Sequence, residues 1–343
     1  MLPVSKPLFI PPLFAILLLL GCGHDTRVSQ KTAVDSNPAF ASLNDSLRSF
    51  PRDASLYLRR GDRLSQVNAH ELARADYIKA WSLKPSLETA LPYAANLQVL
   101  GMETERLALL KTCDSRFPDN QQVKRLLAEA YAISGSQDQA LKQYQVILQK
   151  DPEDFETWYE QGILLEQMKD TAGAISSLQK AYALQGVPTY GLELAHLYAE
   201  QKNAKALDIC NFILKRDSGN MLIDPLFIKG IYFANKKMYP QAIEQFDSCI
   251  GRDWKTTDAY LEKGRAYYQQ QKYQAAINTF HMALTVSNTD PDAYYWLGRC
   301  CEATHRKADA ISYYEKTLAL DKRFTEAKEA IDRLQSGFGD APR

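Results

Sequence analysis

The sequence predicts an all-α protein made of stacked helical hairpins, and two series of small residues indicate this. Gly230, Gly264 and Gly298 follow one another at 34-residue intervals, and Gly162 lies 68 residues before Gly230. A series of alanines falls on the same 34-residue lattice: Ala140, Ala174, Ala242, Ala276 and Ala310. A fixed period of this length is the sequence signature of a repeat architecture. Glycine and proline are otherwise sparse, at 16 and 15 of 343 residues, so we expect helices joined by short turns.

The N-terminus predicts a secretion signal at residues 1–21. Lys6 precedes an apolar run from Leu8 to Leu20, which is shorter than the about 20 residues that a membrane-spanning helix needs. The letters LLGC at residues 19–22 resemble the lipobox of bacterial lipoproteins. That resemblance implies cleavage before Cys22 and acylation of its thiol and its new amine. Ordinary secretion and an uncleaved anchor, with Cys22 a bystander, stay open as alternatives.

The lipoprotein resemblance also implies a location at a bacterial membrane. In enteric lipoproteins an Asp after the acylated Cys marks retention in the inner membrane, and Gly23 stands there instead. We therefore expect a lipid anchor in the outer membrane, with the protein facing the periplasm or the cell surface. Acyl chains anchor durably because each buried methylene contributes about 0.8 kcal/mol. Residues 22–37 are polar and without periodicity, so they predict a flexible tether.

From residue 54 onward the chain can be written as units of 34 positions. Small residues occupy position 8 (Gly61, Ala128, Gly162, Gly230, Gly264, Gly298) and position 20 (Ala73, Ala140, Ala174, Ala242, Ala276, Ala310). Larger side chains occupy position 4 (Tyr57, Trp158, Leu226, Tyr260, Tyr294) and position 24 (Tyr77, Tyr144, Leu178, Phe246, Phe280, Tyr314). Each unit is thus predicted to hold two amphipathic helices, whose backbones approach where the small residues meet.

This pattern resembles the tetratricopeptide repeat, whose signature W-x2-L-G-x2-Y and A-x3-F-x2-A matches these positions over roughly four fifths of the chain. The resemblance implies a right-handed superhelical solenoid of about eight tetratricopeptide helical hairpins with a C-terminal capping helix. The predicted array covers residues 54–336, in units 54–87, 88–120, 121–154, 155–188, 189–222, 223–256, 257–290 and 291–324, with the cap at 325–336. Residues 38–53 predict an N-terminal helix ahead of the array.

Two of the predicted units depart from the pattern. The unit 88–120 has Arg106 where position 20 calls for a small residue, and it is one residue short. The unit 189–222 has its first helix one place early and a shorter turn before Ala206. Periodic apolar residues continue through both units, so we expect their helices to persist.

The tetratricopeptide resemblance implies a concave groove, lined by the first helices of the units, in which partner segments bind. The candidate groove residues lie at positions 5, 9 and 12 of the later units: Tyr159, Ile163, Leu192, Phe227, Ile231, Arg265, Tyr268, Tyr295 and Arg299. The Lys and Asn that some family members use to hold a C-terminal carboxylate are absent there. The alternative is that these residues only pack between adjacent first helices.

No chemistry of catalysis or of metal binding emerges from the sequence. None of the five histidines forms a metal-spaced pair, and no phosphate-binding glycine loop is present. We predict no enzyme, no catalytic residue, no metal and no cofactor. Besides Cys22 there are Cys113, Cys210, Cys249, Cys300 and Cys301, and we interpret them as structural thiols because Cys210, Cys249 and Cys301 fall at core positions of the repeat. The adjacent pair Cys300-Cys301 leaves a redox or soft-metal role open.

Charge and family resemblance together predict the class of partner. Lys+Arg and Asp+Glu both number 41, so the chain lacks the basic excess that nucleic-acid binding requires. We predict a non-catalytic protein-protein interaction scaffold or adaptor, anchored to the bacterial cell envelope, with protein partners of unknown identity. The alternative is an outer-membrane lipoprotein that captures glycans or nutrients. A third hypothesis is an enzyme that uses Cys300-Cys301.

Overall fold

The computed structural model describes residues 38–336, which form eighteen α-helices and no strand. The prediction of an all-α helical repeat fold is confirmed. The helices are α1 (Pro38–Ser49), α2 (Ala54–Gln66), α3 (His70–Leu83), α4 (Leu87–Val99), α5 (Glu103–Arg116), α6 (Gln121–Ile133), α7 (Gln137–Lys150), α8 (Phe155–Gln167) and α9 (Thr171–Leu184). They continue with α10 (Pro188–Glu200), α11 (Lys205–Lys215), α12 (Asp224–Asn235), α13 (Tyr239–Arg252), α14 (Thr257–Gln269), α15 (Tyr273–Val286), α16 (Pro291–Ala303), α17 (Lys307–Leu320) and α18 (Thr325–Gln335).

The chain divides into two compact units between Gly135 and Ser136. Helices α1 to α6 belong to the first unit and α7 to α18 belong to the second, and consecutive helices pack against each other within each unit. The division falls inside the predicted repeat 121–154, whose two helices are α6 and α7. The predicted signal at 1–21 and tether at 22–37 lie outside the described residues, and the boundaries of the predicted units stay predictions.

Side-chain caps fix where several first helices begin. Asp154 accepts a hydrogen bond from the N–H of Thr157 at the start of α8, and Asp290 accepts one from Ala293 at the start of α16. A cap of this kind satisfies a backbone donor that the first turn leaves without a partner, and it stabilises a helix by about 1 kcal/mol. These aspartates also place the side chains of α8 and α16 in a fixed register.

The turn inside a hairpin repeats one backbone geometry. In eight turns the second residue after the first helix has a positive φ: Asn68, Gly101, Gly135, Lys169, Lys202, Lys237, Gln271 and His305. In the seven turns other than that of Gly135, the N–H of the next residue donates to the carbonyl five residues back, as from Asp170 to Leu165 and from Met238 to Phe233. This is the Schellman motif, in which a left-handed residue closes the helix and satisfies its last carbonyls.

Small residues bring the two helices of a hairpin together, as their spacing predicts. Ala174, Ala242, Ala276 and Ala310 are fully buried. Gly264 of α14 faces the ring of Phe280 on α15 so closely that a Cβ atom there would lie 2.4 Å from Cε1 of the ring. Phe280 itself is fully buried and joins a cluster with Ala276, Ala283 and Leu297. The hairpin α14–α15 therefore closes on a seam that has no room for another methyl group.

The repeat with an arginine at position 20 keeps both of its helices, α4 and α5. Arg106 is fully buried, and its guanidinium donates to Glu103 over 3.2 Å and to Glu129 over 2.7 Å. A charge buried this deeply is tolerated only when it is paired and hydrogen-bonded. At position 20 this repeat therefore has a buried ion pair, whereas the other repeats have the methyl group of an alanine.

Candidate functional site

The predicted groove residues lie on the first helices of the second unit, α8, α10, α12, α14 and α16. We call the side chains that these helices present at repeat positions 5, 9 and 12 the first-helix face. Seven of the nine predicted residues are half-buried there: Tyr159, Ile163, Leu192, Phe227, Arg265, Tyr268 and Arg299. The structure brings these seven together on adjoining helices, since Tyr159 of α8 stacks on Tyr190 of α10, and α10 contacts α12, α12 contacts α14, and α14 contacts α16.

The other two predicted residues are buried. Ile231 is 4% exposed and belongs to the same apolar cluster as Ala199 of α10 and Ala259 of α14. Tyr295 is 7% exposed, and its ring centroid lies 4.9 Å from that of Phe324 and 5.6 Å from that of Tyr314. Phe324 comes directly before the capping helix α18, so the chain that follows the last hairpin covers Tyr295. For these two residues the structure favours the packing alternative.

The N-terminal part of the first-helix face is aromatic and aliphatic. Tyr159 of α8 stacks on Tyr190 of α10 with ring centroids 4.5 Å apart, and Phe227 of α12 packs at 5.7 Å from Phe246 of α13. Both rings, with Ile163 and Leu192, rest on the apolar cluster of the second unit yet keep part of their surface in solvent. Such half-buried apolar side chains on adjacent helices offer anchor points to an amphipathic or extended segment.

The C-terminal part of the face carries two arginines among aromatic rings. Arg265 of α14 donates to Glu262 over 2.6 Å and to Asp292 over 3.4 Å, and its guanidinium lies 5.2 Å from the ring centre of Trp296. Arg299 of α16 donates to the hydroxyl oxygens of Tyr295 over 3.2 Å and of Tyr268 over 3.4 Å. The Arg265 charge is therefore compensated by carboxylates, whereas Arg299 is bonded to neutral hydroxyls.

The sequence reasoning missed the carboxylates that border the face. Asp224, Asp258 and Asp292 stand at position 2 of three successive units, 34 residues apart, so the signal was present in the repeat lattice itself. Further along the helices, burial raises the pKa of the Glu193 carboxyl, and the neighbouring charges of Glu166 and Asp224 add to that rise. Like charges held this close disfavour their common ionisation. The Glu193 carboxyl therefore ionises less readily than a free one.

The five described cysteines are buried free thiols. Burial raises the pKa of Cys300 to about 12 and also raises the pKa of Cys301. The two side chains belong to different apolar clusters, Cys300 with Phe280 and Leu297 and Cys301 with Ala310 and Tyr314. A thiol kept protonated in an apolar core is a weak nucleophile and a poor metal ligand, because the thiolate does both kinds of chemistry.

Residues 38–336 lack two further kinds of feature. No group of three or more His, Cys, Asp or Glu side chains is arranged there to hold a metal ion. None of the described helices has the length and the apolar character needed to cross a bilayer. The predicted lipidation site, Cys22, lies outside the described residues.

Comparison with known proteins identifies the repeat. Models of the tetratricopeptide repeat match residues 138–190 and 291–324, and a model described as TPR repeat matches residues 264–299. Tetratricopeptide repeat protein 14 of Mus musculus is 24% identical over 142 residues, which make up 39% of this chain and 18% of the mouse protein. This chain therefore spans less than one fifth of that relative's length.

Two solved structures share the fold. A chain of the APC/C hetero-tetramer Cut9-Hcn1 has a TM-score of 0.51 at 19% identity, over 84% of this chain and 58% of that chain. PilW, described as a widely conserved type IV pilus biogenesis factor, has a TM-score of 0.52 at 16% identity, over 62% of this chain and 97% of PilW. At this identity the likeness concerns the fold alone. The repeat matches and the shared helical fold agree with the 34-residue lattice, and the chain carries tetratricopeptide repeats in residues 138–190 and 264–324.

Proposed function

We propose that this protein is a non-catalytic interaction scaffold of the bacterial cell envelope, which binds segments of partner proteins along the first-helix face. The observation that carries the proposal is the row of half-buried side chains that crosses five first helices, from Tyr159 on α8 to Arg299 on α16. A row of this kind is continuous enough to hold a peptide segment.

The residue types on the face suit protein recognition. Tyrosine and arginine are enriched among the side chains that dominate binding energy at protein interfaces. Tyr159, Phe227 and Tyr268 each contact the core through part of the ring, which fixes the side chain before a partner arrives. Binding then orders few additional rotamers, and each immobilised side chain would otherwise cost about 0.5–1.5 kcal/mol.

The envelope anchor rests on the sequence before residue 38. A short apolar run ends at Leu20, and Cys22 follows after Gly21, in the arrangement that resembles a lipobox. The proposal includes acylation of Cys22 and attachment to the outer membrane, with the polar residues 23–37 as a spacer between lipid and repeats. Partners would accordingly be envelope proteins.

Site-specific photocrosslinking in intact cells tests the binding face. A photoreactive phenylalanine analogue replaces Tyr159, Leu192 or Tyr268 on the face, and Ser176 or Gln179 on the exposed side of α9 serves as the matched control. We expect the same partner to be crosslinked from the three face positions and from neither α9 position. Equal yields from α9, or no crosslinks from the face, would move the binding surface elsewhere.

Metabolic labelling with a clickable palmitate analogue tests the anchor independently. The wild-type protein should carry the label and sediment with the membrane fraction. Cys22→Ala should lose both properties, whereas Cys113→Ala should keep both. If the Cys22→Ala variant is labelled, or if the wild type is not, the proposed lipid anchor is wrong. The proposed binding face does not depend on that result.

A further inference from the structure

Arg299 is a half-buried cation without a carboxylate partner among the described residues. The other half-buried arginines described in the second unit each bond a carboxylate: Arg252 lies 2.9 Å from Asp217, and Arg265 lies 2.6 Å from Glu262. Arg299 instead donates to two tyrosine hydroxyls over 3.2 and 3.4 Å. Its charge therefore remains uncompensated in a place where solvent screens it only in part.

The surroundings of Arg299 hold its guanidinium in place. The guanidinium carbon lies 5.7 Å from the ring centre of Tyr268, 5.9 Å from that of Tyr295 and 5.8 Å from that of Trp296. Rings at these distances attract a cation and fix the plane of the guanidinium. Two of its five N–H donors are used by the hydroxyls, and three remain for a ligand.

An anion is the ligand that this arrangement favours. A fixed guanidinium presents parallel N–H groups that match the two oxygens of a carboxylate. Charge-assisted hydrogen bonds of this type are about twice as strong as neutral ones, and the flanking rings shield them from water. The tyrosine hydroxyls can rotate to donate to the same oxygens, because each is both a donor and an acceptor.

We infer that Arg299 receives an Asp or Glu side chain of the partner segment, flanked by apolar residues that pack on Tyr268 and Trp296. This inference rests on the proposed function and assigns the chemistry of the partner at one end of the first-helix face. A side chain fits better than a chain terminus, because the neighbouring cations Arg265 and Arg333 are already bound to carboxylates, Arg265 to Glu262 and Asp292 and Arg333 to Glu302.

The carboxylates of Glu262 and Asp292, both bound to Arg265, sharpen this choice. Asp292 lies on the same helix as Arg299 and is itself paired with Arg265. A partner carboxylate is therefore expected to bind only at the Arg299 guanidinium. A second carboxylate elsewhere in the segment would be repelled by the carboxylate of Asp292 or Glu262. The partner segment should contain one acidic residue at a defined distance from its apolar anchors, rather than an acidic run.

Peptide arrays probed with the full-length protein in detergent test the inference. The probes are random 12-residue peptides with acetylated and amidated ends, so that the carboxylates come only from Asp and Glu. A duplicate set with free C-termini supplies the terminal carboxylate. We expect the wild type to enrich peptides with a single Asp or Glu between apolar residues, equally in both sets. Arg299→Gln should weaken the best of them by about thirtyfold, which corresponds to ~2 kcal/mol.

Two variants make the result independent of folding. Arg306→Gln removes an equal charge from an exposed position just beyond α16 and should leave the enrichment unchanged. Arg299→Glu reverses the charge and should favour peptides with Lys or Arg in place of the acid, a gain that misfolding cannot produce. Circular dichroism confirms that each variant is helical.

Three outcomes overturn the inference. These are peptides bound by the wild type without an acidic residue, binding that Arg299→Gln leaves unchanged, or binding restricted to free C-termini. The proposed function fails separately, when no peptide in either set depends on the first-helix face as judged by Tyr159→Ala and Leu192→Ala. If peptide binding depends on those two residues but not on Arg299, the first-helix face remains the proposed binding surface and the inferred carboxylate contact is wrong.

Discussion

Replacing Gly264 by alanine should destabilise the second unit by about 1–2 kcal/mol. The added Cβ atom would lie 2.4, 2.6 and 2.8 Å from three atoms of the Phe280 ring, whereas carbon atoms pack best at about 3.5–4.0 Å. The ring has little room to withdraw, because it is fully buried and stacks on Trp296. Overpacking of this kind costs about 1–3 kcal/mol, and the higher helix propensity of alanine offsets up to about 1 kcal/mol.

The chain supplies a matched control for this substitution. Gly251 lies in α13, is exposed, and an added Cβ there would meet no atom within 4 Å. Gly251→Ala should therefore stabilise the protein by about 0.5–1 kcal/mol through helix propensity alone. The same chemical change in neighbouring hairpins is expected to have opposite signs.

Urea unfolding followed by circular dichroism measures both variants. We compare transition midpoints and slopes, because repeat arrays do not always unfold in a single step. The double variant Gly264→Ala with Phe280→Leu replaces the aromatic ring by the smaller isobutyl group and should recover some of the stability that Gly264→Ala alone loses. A Gly264→Ala midpoint equal to or above that of the wild type would refute the seam as described.

Three further predictions concern buried polar and ionisable groups. Ellman's reagent should leave Cys300 and Cys301 unmodified in the native protein and titrate them only in urea, because burial raises their pKa values; fast native reaction would revive a redox role. The folded-state pKa of Glu193 is raised above its ordinary 4.5, so its protonated form favours folding below that pH and the contribution is lost as the pH rises through the folded pKa. Glu193→Gln should thus raise the melting temperature at pH 7 and leave it unchanged at pH 4, and an equal effect at both pH values would contradict this sign. Arg106→Ala should lower the free energy of unfolding by about 2–3 kcal/mol, and Arg106→Met should lower it by less, because methionine refills the space that alanine leaves empty. If chemical denaturation gives the same loss for both variants, the charge of Arg106 matters and its volume does not.

The 34-residue lattice predicted the fold because packing depends on residue size at fixed positions. Ala174 and Gly264 lie at the contacts between helices, as their spacing requires. Such contacts join residues of one hairpin, which are close in sequence. Local periodicity therefore contains the information that the hairpin needs.

The details that the sequence did not predict depend on residues from different repeats. Tyr295 shares its periodicity with Tyr159, yet it is covered by Phe324, which lies in the turn before the capping helix. Arg106 breaks the alanine series, and its compensation comes partly from Glu129, 23 residues later and on the next first helix. A one-dimensional pattern identifies the face of a helix but not what covers that face.

The hairpin turns have a consequence for engineering. Lys169, Lys202, Lys237, Gln271 and His305 are exposed residues in a left-handed backbone conformation that costs an L-residue about 1 kcal/mol or more. Replacing one of these residues by glycine removes this cost but adds conformational freedom to the unfolded chain. Each replacement should therefore raise the free energy of unfolding by a fraction of a kcal/mol. Asn68 should gain least, because asparagine tolerates this conformation. Because the turns share no hydrogen-bond partners, the small gains should add, and the melting temperature could be raised stepwise without touching any side chain on the first-helix face.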